Sequence, residues 1–468
     1  MTAPFSDDLL AENAGLHERV AQLERTVAAL QRTCDDLRQQ LEAATRASKR
    51  QAAPFAKGPP SAQPRRPGRR AGDQHGLHGH RPPPERIDET HEAPLPTACP
   101  DCGGLLDETH IAHQYQTDIP RRPVIRQFNV HCGRCRGCGQ TCQGRHPLQT
   151  SNATGAAASQ IGPDAQAAVV WLNKDAGLSY GKIARLCAAL FGFTVTRGAC
   201  AQIVLRAGQR LRPAYAEIQQ RLPASPTLTP DETGWRVGGH PAWLHAWVGD
   251  DATCYVISPQ RSADALAAVI GWDWEGVLIH DGFASYDRFL SATHQQCVAH
   301  VLRRAHDLEP SQPGAARRFP RQVIDLFQGA LQVRDMYHDG LVTATELAGA
   351  YTYYVDSLQA LTERPRTNTV NETLARHLWV HADHWFHFLE EPGQPATNHR
   401  AEQALRPAVV NRKVWGGNRT EAGAEAQGIL SSVLQTCRQQ VVSAVDYVRN
   451  TLCQGFVSLF TSATRTGR

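Results

Sequence analysis

Three carboxylates stand where they could share divalent cations. Asp231 lies within a β-type run, Asp281 directly follows another, and Glu402 falls at the start of a helical run. Mg²⁺ prefers carboxylate oxygens, and two Mg²⁺ about 3.5–4 Å apart can activate a nucleophile and stabilise a leaving oxygen in phosphoryl transfer. We predict that Asp231 bridges two Mg²⁺, while Asp281 and Glu402 hold one each. Glu232 points to the opposite face of its strand, so we do not expect it to bind the metal directly. It could support the ligands without contacting the metal.

The runs around these carboxylates predict a five-stranded sheet. Its strands should be 226–237, 243–248, 254–258, 276–280 and 294–298. The first three are joined by tight turns and form a meander. We expect Ser262 to cap a helix that reaches Ile270, and a short helix over 283–290. The order β-β-β-α-β-α-β is that of an RNase H-like fold, and its last helix, which carries the third carboxylate, should be 398–410.

A helical pattern separates the last strand from that final helix. The predicted helices are Val323–Arg334, Thr343–Arg364 and Val370–Leu389. We interpret 301–395 as an insertion into the catalytic core. Basic residues at its start and after Glu402 could border a DNA path; the alternative is that they are solvated helix faces. Those predicted to contact DNA are Arg303, Arg304, Arg406, Arg412 and Lys413.

Two cysteine knuckles precede the predicted core. Cys99 and Cys102 are followed by glycine, and so are Cys135 and Cys138. Two Cys-x-x-Cys-Gly turns can close a four-thiolate tetrahedron, which is typical of structural zinc. The alternating runs 113–117 and 124–130 between them suggest the strands of a zinc ribbon. We predict Cys99, Cys102, Cys135 and Cys138 as the zinc ligands, because the second pair repeats the glycine that follows the first. Cys132 or Cys142, which lie nearby, is the alternative to one of them.

The N-terminus carries a heptad repeat over residues 9–44. Leucines recur every seventh residue, and valine or asparagine often occupies the other core position. The leucines are Leu9, Leu16, Leu23, Leu30 and Leu37. This pattern predicts a parallel coiled-coil dimer, in which Asn13 would set the register. The alternative is one amphipathic helix packed on its own chain.

Residues 46–86 are rich in arginine, proline and glycine and cannot bury enough apolar surface to fold alone. Arg65, Arg66, Arg69 and Arg70 could form a basic arm that binds phosphates or a minor groove. A solvated linker without a ligand is the alternative.

Residues 163–212 predict three helices before the sheet. Pro163 suits a first helical position, Ser179 should cap a helix to about Leu190, and Thr194 or Thr196 should cap the next. The pair around the Gly192 turn is similar to a helix-turn-helix that reads DNA. An ordinary helical hairpin is the alternative.

The pair Cys297 and His300 precedes the insertion. It could touch DNA or join the insertion to the core near the active site. The spacing also suits zinc, although no second pair is obvious. The alternative without a functional role is a buried cysteine on a strand and a histidine that caps a helix.

Bulk composition is compatible with a soluble, cytoplasmic protein of several domains. The chain has 468 residues, a net charge of only +4, and no apolar run of about 18 residues such as a membrane span needs. Six of its thirteen cysteines lie in 99–142, which in a cytosolic chain favours metal over disulfides.

We predict a multidomain α+β/α chain. Its parts are a coiled coil (1–45), a basic linker (46–98), a zinc-binding domain (99–150), a helical, helix-turn-helix-like segment (151–223), the first part of the RNase H-like core (224–300), the insertion (301–395), the final core helix (396–420) and a helical tail (421–468).

Several motifs together resemble the IS66-family transposases. They include Asp231-Glu232-Thr233 with Arg236, Asp281-Gly282-Phe283-Ala284, Cys297-x-x-His300, Asn398-x-x-Ala401-Glu402, and Arg412-Lys413-x-Trp415-Gly416-Gly417. The resemblance covers nearly the whole chain. It implies a DDE transposase that uses Mg²⁺ to cut and join the terminal inverted repeats of a bacterial insertion sequence. DNA, a second copy of the chain and accessory proteins of the same element are the implied partners. Where the family usually has Asn-Asn before the glutamate, this chain has Asn398-His399.

Two other functions remain open from the sequence. The chain could be a non-catalytic, zinc-containing DNA-binding protein, either an inactive relic or a regulator. It could also be an RNase H-like nuclease that does not transpose, for which the coiled coil and the basic arm would be superfluous. The intact set of three carboxylates favours the transposase.

Overall fold

The computed structural model describes residues 5–48, 160–391 and 393–460, together with parts of the stretch between. Those parts are 84–91, 94, 96–97, 102–105, 107, 111, 113–115, 123–149 and 152–154. Side chains of the first helix are described over 15–40. The predictions on Arg65, Arg66, Arg69, Arg70 and Cys99 lie outside the described residues.

The N-terminal helix α1 spans Phe5–Ser48. Its heptad leucines lie on the surface of the chain: Leu16 is 55%, Leu23 64% and Leu30 59% exposed. The predicted helix is therefore present, and its apolar stripe is not covered by the described part of its own chain. Self-association of α1 stays a prediction.

The second cysteine knuckle lies on a small hairpin. Strands β1 (Cys132–Arg134) and β2 (Thr141–Gln143) pair antiparallel, with Gly133 opposite Cys142. The predicted strand at 124–130 is absent, and so is any strand in the described part of 113–117. Val124 and Ile125 are 72% and 91% exposed, and only Phe128 and Val130 of this run are half-buried, so the described residues offer the run little apolar surface to pack against.

Four α-helices are described between the cysteine segment and the main sheet. They are α2 (Pro163–Lys174), α3 (Tyr180–Phe191), α4 (Arg197–Arg210) and α5 (Arg212–Arg221). The side chains of Ser179 and Thr196 accept from the backbone N–H groups of Lys182 and Ala199, as N-caps do. The predicted cap at Ser179 is confirmed, and of the two threonines it is Thr196 that caps α4.

The main sheet has five strands. They are β3 (Thr227–Val237), β4 (His240–Val248), β5 (Thr253–Ser258), β6 (Val277–His280) and β7 (Thr293–Gln296). Their order in space is β5-β4-β3-β6-β7, with the first three antiparallel and β6 and β7 parallel to β3. The strand predictions are correct to within three residues at each end, because each strand carries its own β-type run.

Two local predictions near the sheet are wrong. Helix α6 spans Asp264–Ile270 and begins after Ala263 without a side-chain cap, so Ser262 is not its cap. The predicted helix over 283–290 is only a 3₁₀ turn at Tyr286–Arg288. There Tyr286 and Phe289 are buried in the core, so tertiary packing replaces a regular helix.

The insertion is helical and has its own core. It contains α7 (Val298–Ser311), α8 (Arg318–His338), α9 (Ala344–Thr362), α10 (Thr369–Val380) and α11 (His387–Glu390). Phe327, Leu358, Leu378 and Phe386 lie in that core. The predicted helix Val370–Leu389 is broken after Val380 by a turn at Ala382–His384. In that stretch Trp385 and Phe386 turn inward, which a continuous helix would not allow.

Three further helices are described after the insertion. They are α12 (His399–Trp415), α13 (Glu421–Gln439) and α14 (Ala444–Gln454). Helix α12 packs against β3 and β4, and α13 packs against β5 and α4. The buried apolar residues around the sheet form two clusters, one with Leu244 and Ala404 beneath α12 and one with Leu228 and Ile429 beneath α13. No helix in the described ranges is both long and apolar enough to cross a membrane.

Candidate active site

The register of the parallel strands β3 and β6 places Asp231 beside Asp281. Strands β3 and β6 pair in parallel, with Thr227 opposite Val277 and Leu228 opposite Leu278. Each pair is separated by 50 positions, as are Asp231 and Asp281. Asp281 directly follows β6, so it lies near Asp231 of β3 at the place where β6 ends, called the acidic edge below.

Helix α12 brings Glu402 to this edge. Glu402 lies in its first turn, and the buried face of the helix carries Ala401, Ala404 and Ala408. Small side chains allow a helix to approach the sheet closely, and the Tyr255 hydroxyl donates to the carbonyl of Ala404 at 2.6 Å. The position of Glu402 is thus set by contacts between α12 and the sheet.

The charges at this edge repel one another. The pKa of Asp231 is raised to about 7, mainly by burial, with contributions from the nearby carboxylates of Asp281, Glu232 and Glu402. The backbone N–H of Glu232 donates to Asp231 Oδ1 at 2.9 Å and opposes this rise. Three carboxylates are the donors that Mg²⁺ prefers. Their oxygens are not all within 4.8 Å of one another in the described structure, so holding one shared cation would require these side chains to move closer.

Glu232 is held on the other side of the strand. Its carboxylate accepts from Arg261 Nε at 2.7 Å and from the Tyr286 hydroxyl at 2.9 Å. The sequence pattern did not indicate either partner, because Arg261 is 29 and Tyr286 54 positions away. Both carboxylate oxygens of Glu232 are engaged, which supports a role in bracing β3.

His300 approaches the third carboxylate. Its Nε2 lies 3.5 Å from Glu402 Oε1, and its Nδ1 is buried without a hydrogen-bond partner among the described residues. The preceding Cys297 is buried, which raises the pKa of its thiol. The contact between His300 and Glu402 favours the interpretation in which Cys297 and His300 act near the active site.

A cavity of about 440 Å³ opens beside Asp281. It is lined by His300, Arg303 and Arg304 of α7, among others. Both arginines are exposed, so positive charge borders the acidic edge. The cavity is therefore suited to a phosphate-bearing ligand.

The other predicted DNA contacts differ in their surroundings. Arg406 and Lys413 are exposed. Arg412 is half-buried and donates to the hydroxyl of Thr233 and to the carbonyl of Gly234. Burial lowers the pKa of Arg412. Arg412 thus ties α12 to β3, and DNA contact by this residue stays a prediction.

Glycine is required directly after Asp281. Gly282 has φ of +88°, and a Cβ there would lie 2.8 Å from Gln296 Oε1. Because Gln296 Oε1 is the far end of a side chain, the positive φ is the stronger constraint on this position. The glycine thus fixes where Asp281 leaves the sheet.

In the cysteine segment, the structure brings Cys135 and Cys138 together. Backbone N–H groups, that of Cys138 first, lower the pKa of the exposed Cys135 thiol. Gly103 and Gly139, which follow the two knuckles, both have positive φ. These features suit a metal-binding turn, and the zinc assignment stays a prediction.

The chain is similar to one known protein family. The sequence model described as "Transposase IS66 family" matches residues 158–426, which include α2 to α12, the main sheet and the insertion. A comparison with curated proteins finds no match. The fold and the acidic edge define a mixed α/β protein with a candidate cation site. The chain belongs to the IS66 transposase family. Membership implies, in general, nuclease or transferase activity on DNA, and it suggests a divalent metal.

Proposed function

We propose that this chain is a DDE transposase that binds the terminal inverted repeats of its element and catalyses Mg²⁺-dependent strand cleavage and strand transfer. The observation that supports this most directly is the shared acidic edge formed by Asp231, Asp281 and Glu402. The strand order β5-β4-β3-β6-β7 followed by α12 suits an RNase H-like core.

Asp231, Asp281 and Glu402 would hold the metal. Bound Mg²⁺ supplies charge stabilisation for the attacking and leaving oxygens of a phosphodiester. Without a cation, about half of the Asp231 carboxyl groups carry a proton near neutral pH, because the pKa of this group is about 7. His300, 3.5 Å from Glu402, would orient that carboxylate. The partners of Glu232 would keep β3 in place while the site fills.

DNA would approach along the cavity bordered by Arg303 and Arg304. Neither arginine lies within an ion pair among the described contacts, so both side chains can meet phosphates. We propose Arg406 and Lys413 as further contacts and the basic arm as an anchor outside the core. Structural zinc at the knuckles and a dimer through α1 would complete the assembly.

The test is strand cleavage of DNA that carries the element's own ends. Wild-type protein with Mg²⁺ should cleave and join such ends, while Asp281→Asn and Glu402→Gln should lose activity by orders of magnitude. The matched control is Glu232→Gln, which removes a neighbouring carboxylate that is bound to Arg261 and Tyr286. It should retain most activity below its unfolding temperature.

The alternative function makes a different prediction. A non-catalytic DNA-binding relic or regulator would bind end DNA but cut nothing under any metal condition. Full activity in Asp281→Asn or Glu402→Gln would refute the two-metal assignment itself.

A separate binding measurement tests the DNA path. Arg303→Ala with Arg304→Ala should weaken end-DNA binding and reduce its salt dependence, since two phosphate contacts are lost. Arg364→Ala is the control, because this exposed arginine of the insertion does not line the cavity. Equal losses in both variants would contradict the proposed path.

A further inference from the structure

A group of side chains whose types and spacing could hold a metal ion lies where the insertion meets the sheet. Asp287 follows β6 in the 3₁₀ turn, whereas His381 and His384 belong to the turn that breaks the insertion's helices after Val380. Their carboxylate oxygen and ring nitrogens all lie within 4.8 Å of one another. The group shares no residue with the Asp231, Asp281 and Glu402 set.

Two atoms of this group lack the partners that burial demands. Asp287 Oδ1 and His384 Nδ1 are both buried, and neither has a hydrogen-bond partner in the described part of the chain. Leaving a buried acceptor or donor unpaired costs about 1–3 kcal/mol. A bound cation would satisfy the carboxylate oxygen, and an imidazole nitrogen is a common ligand.

Asp287 also lies within 4.8 Å of His280 and His294, but these two histidines already have hydrogen-bond partners. His280 Nε2 lies 3.0 Å from His294 Nδ1, and His294 Nε2 lies 2.9 Å from the carbonyl of Phe289. The backbone N–H of Gly282 donates to His280 Nδ1 at 3.2 Å. All four ring nitrogens are thus used within the protein. The His384 ring stacks on the His294 ring, with centroids 4.9 Å apart, so the bonded His280–His294 pair packs directly against the group of Asp287, His381 and His384.

We propose that Asp287, His381 and His384 form a binding site for a divalent transition-metal ion, with Zn²⁺ as the best fit. Two imidazoles and a carboxylate match the donors that Zn²⁺ takes at about 2.0–2.2 Å, with a fourth position left to solvent. Tetrahedral ligands at that distance lie roughly 3.4 Å from one another. Side-chain rotations that shift each ligand atom by about an ångström would bring the three atoms to that spacing. Mg²⁺ prefers oxygen donors and is disfavoured by two histidines.

The location gives the site a function. Residues next to the histidines already contact β7: Gln295 Nε2 donates to the carbonyl of Trp385 at 3.0 Å, and the N–H of Phe388 donates to Gln295 Oε1 at 3.0 Å. Asp287 lies six residues after Asp281. A metal here joins the insertion to the segment that carries Asp281, so it would stabilise the orientation of the cavity wall.

Metal content of the full-length chain tests the site. Protein stripped of metal is reloaded with Co²⁺ and counted by elemental analysis, for the wild type, Asp287→Asn, His384→Asn and the control His377→Asn. His377 is a half-buried histidine of the same insertion, 5.2 Å from the His381 ring and outside the ligand set. Visible absorption separates a nitrogen–oxygen site from a thiolate site, since thiolates add charge-transfer bands.

We expect Asp287→Asn and His384→Asn to bind one Co²⁺ less per chain than the wild type, while His377→Asn binds as the wild type does. Any thiolate bands should stay unchanged in all variants. Asp287→Asn preserves shape, so it decides the matter if His384→Asn does not fold. Equal Co²⁺ content in wild type and Asp287→Asn would overturn the proposal. The result does not depend on the proposed transposase activity or on the cysteine knuckles, because only the difference between variants counts.

Discussion

Replacing Asp231 by asparagine should stabilise the metal-free protein at alkaline pH. In the folded chain this carboxyl has a pKa of about 7, against an ordinary value of 3.8. Each pKa unit corresponds to about 1.36 kcal/mol, so ionising Asp231 costs the folded state roughly 4 kcal/mol once the pH exceeds 7. The amide of asparagine removes that charge but adds a buried donor, at a cost of about 1–3 kcal/mol. The net gain should be about 2 kcal/mol at pH 8.

The sign of this effect depends on pH. The folded state holds the proton more tightly than the unfolded state, so wild-type stability falls as pH rises from about 4 to about 7. Below pH 4 the wild-type carboxyl is protonated in both states. The advantage of Asp231→Asn should therefore disappear there, leaving only the cost of the amide.

Thermal unfolding without added Mg²⁺ measures this effect. At pH 8 the variant should melt several degrees higher, taking roughly 2–4 °C per kcal/mol. Adding Mg²⁺ should raise the Tm of the wild type more than that of the variant, because a ligand that binds only the folded state stabilises it. Glu232→Gln is the control and should melt lower, since it weakens the ion pair with Arg261. A stability gain in Asp231→Asn that is equal at pH 4 and pH 8 would refute the electrostatic reasoning.

Three further outcomes are expected. Gly282→Ala should destabilise the core and reduce cleavage, because its Cβ meets Gln296 at 2.8 Å at a positive φ; unchanged melting and activity would contradict this. Replacing Leu23 and Leu30 by proline should give a monomer in sedimentation, and a variant that sediments like the parent would exclude the coiled coil. Cys102→Ser should remove one zinc per chain and unfold the 99–150 segment without unfolding the sheet; an unchanged zinc count in metal analysis would dismiss the four-thiolate site.

Much of the local structure follows from the sequence. Ser179 and Thr196 each accept a bond from the backbone N–H of the third residue of the helix that follows, as their positions before apolar periodic runs indicate. The five strands lie where β-type runs occur, because alternation and β-branched residues act within a few positions. A long helix at the N-terminus follows from its heptads for the same reason.

The failures occur where packing overrode local preference. The pattern over 370–389 suits one helix, but the chain turns after Val380 so that Trp385 and Phe386 fill the insertion's core. The alternation over 124–130 suits a strand, yet among the described residues only Phe128 and Val130 of this run are even half-buried. A helix or strand needs a partner to bury its apolar side, and the sequence does not identify that partner.

For the candidate sites, residue types came from the sequence and their convergence from the tertiary structure. Aspartate after a strand and glutamate at a helix start indicated three candidate ligands. Asp231 lies beside Asp281 because of the register between β3 and β6. His300 approaches Glu402 because of the way α7 and α12 pack. No local pattern joins Asp287 to His381 and His384, which are over 90 positions away. Periodicity reports contacts a few residues apart, whereas sites such as these are assembled by long-range packing, which only the folded chain determines.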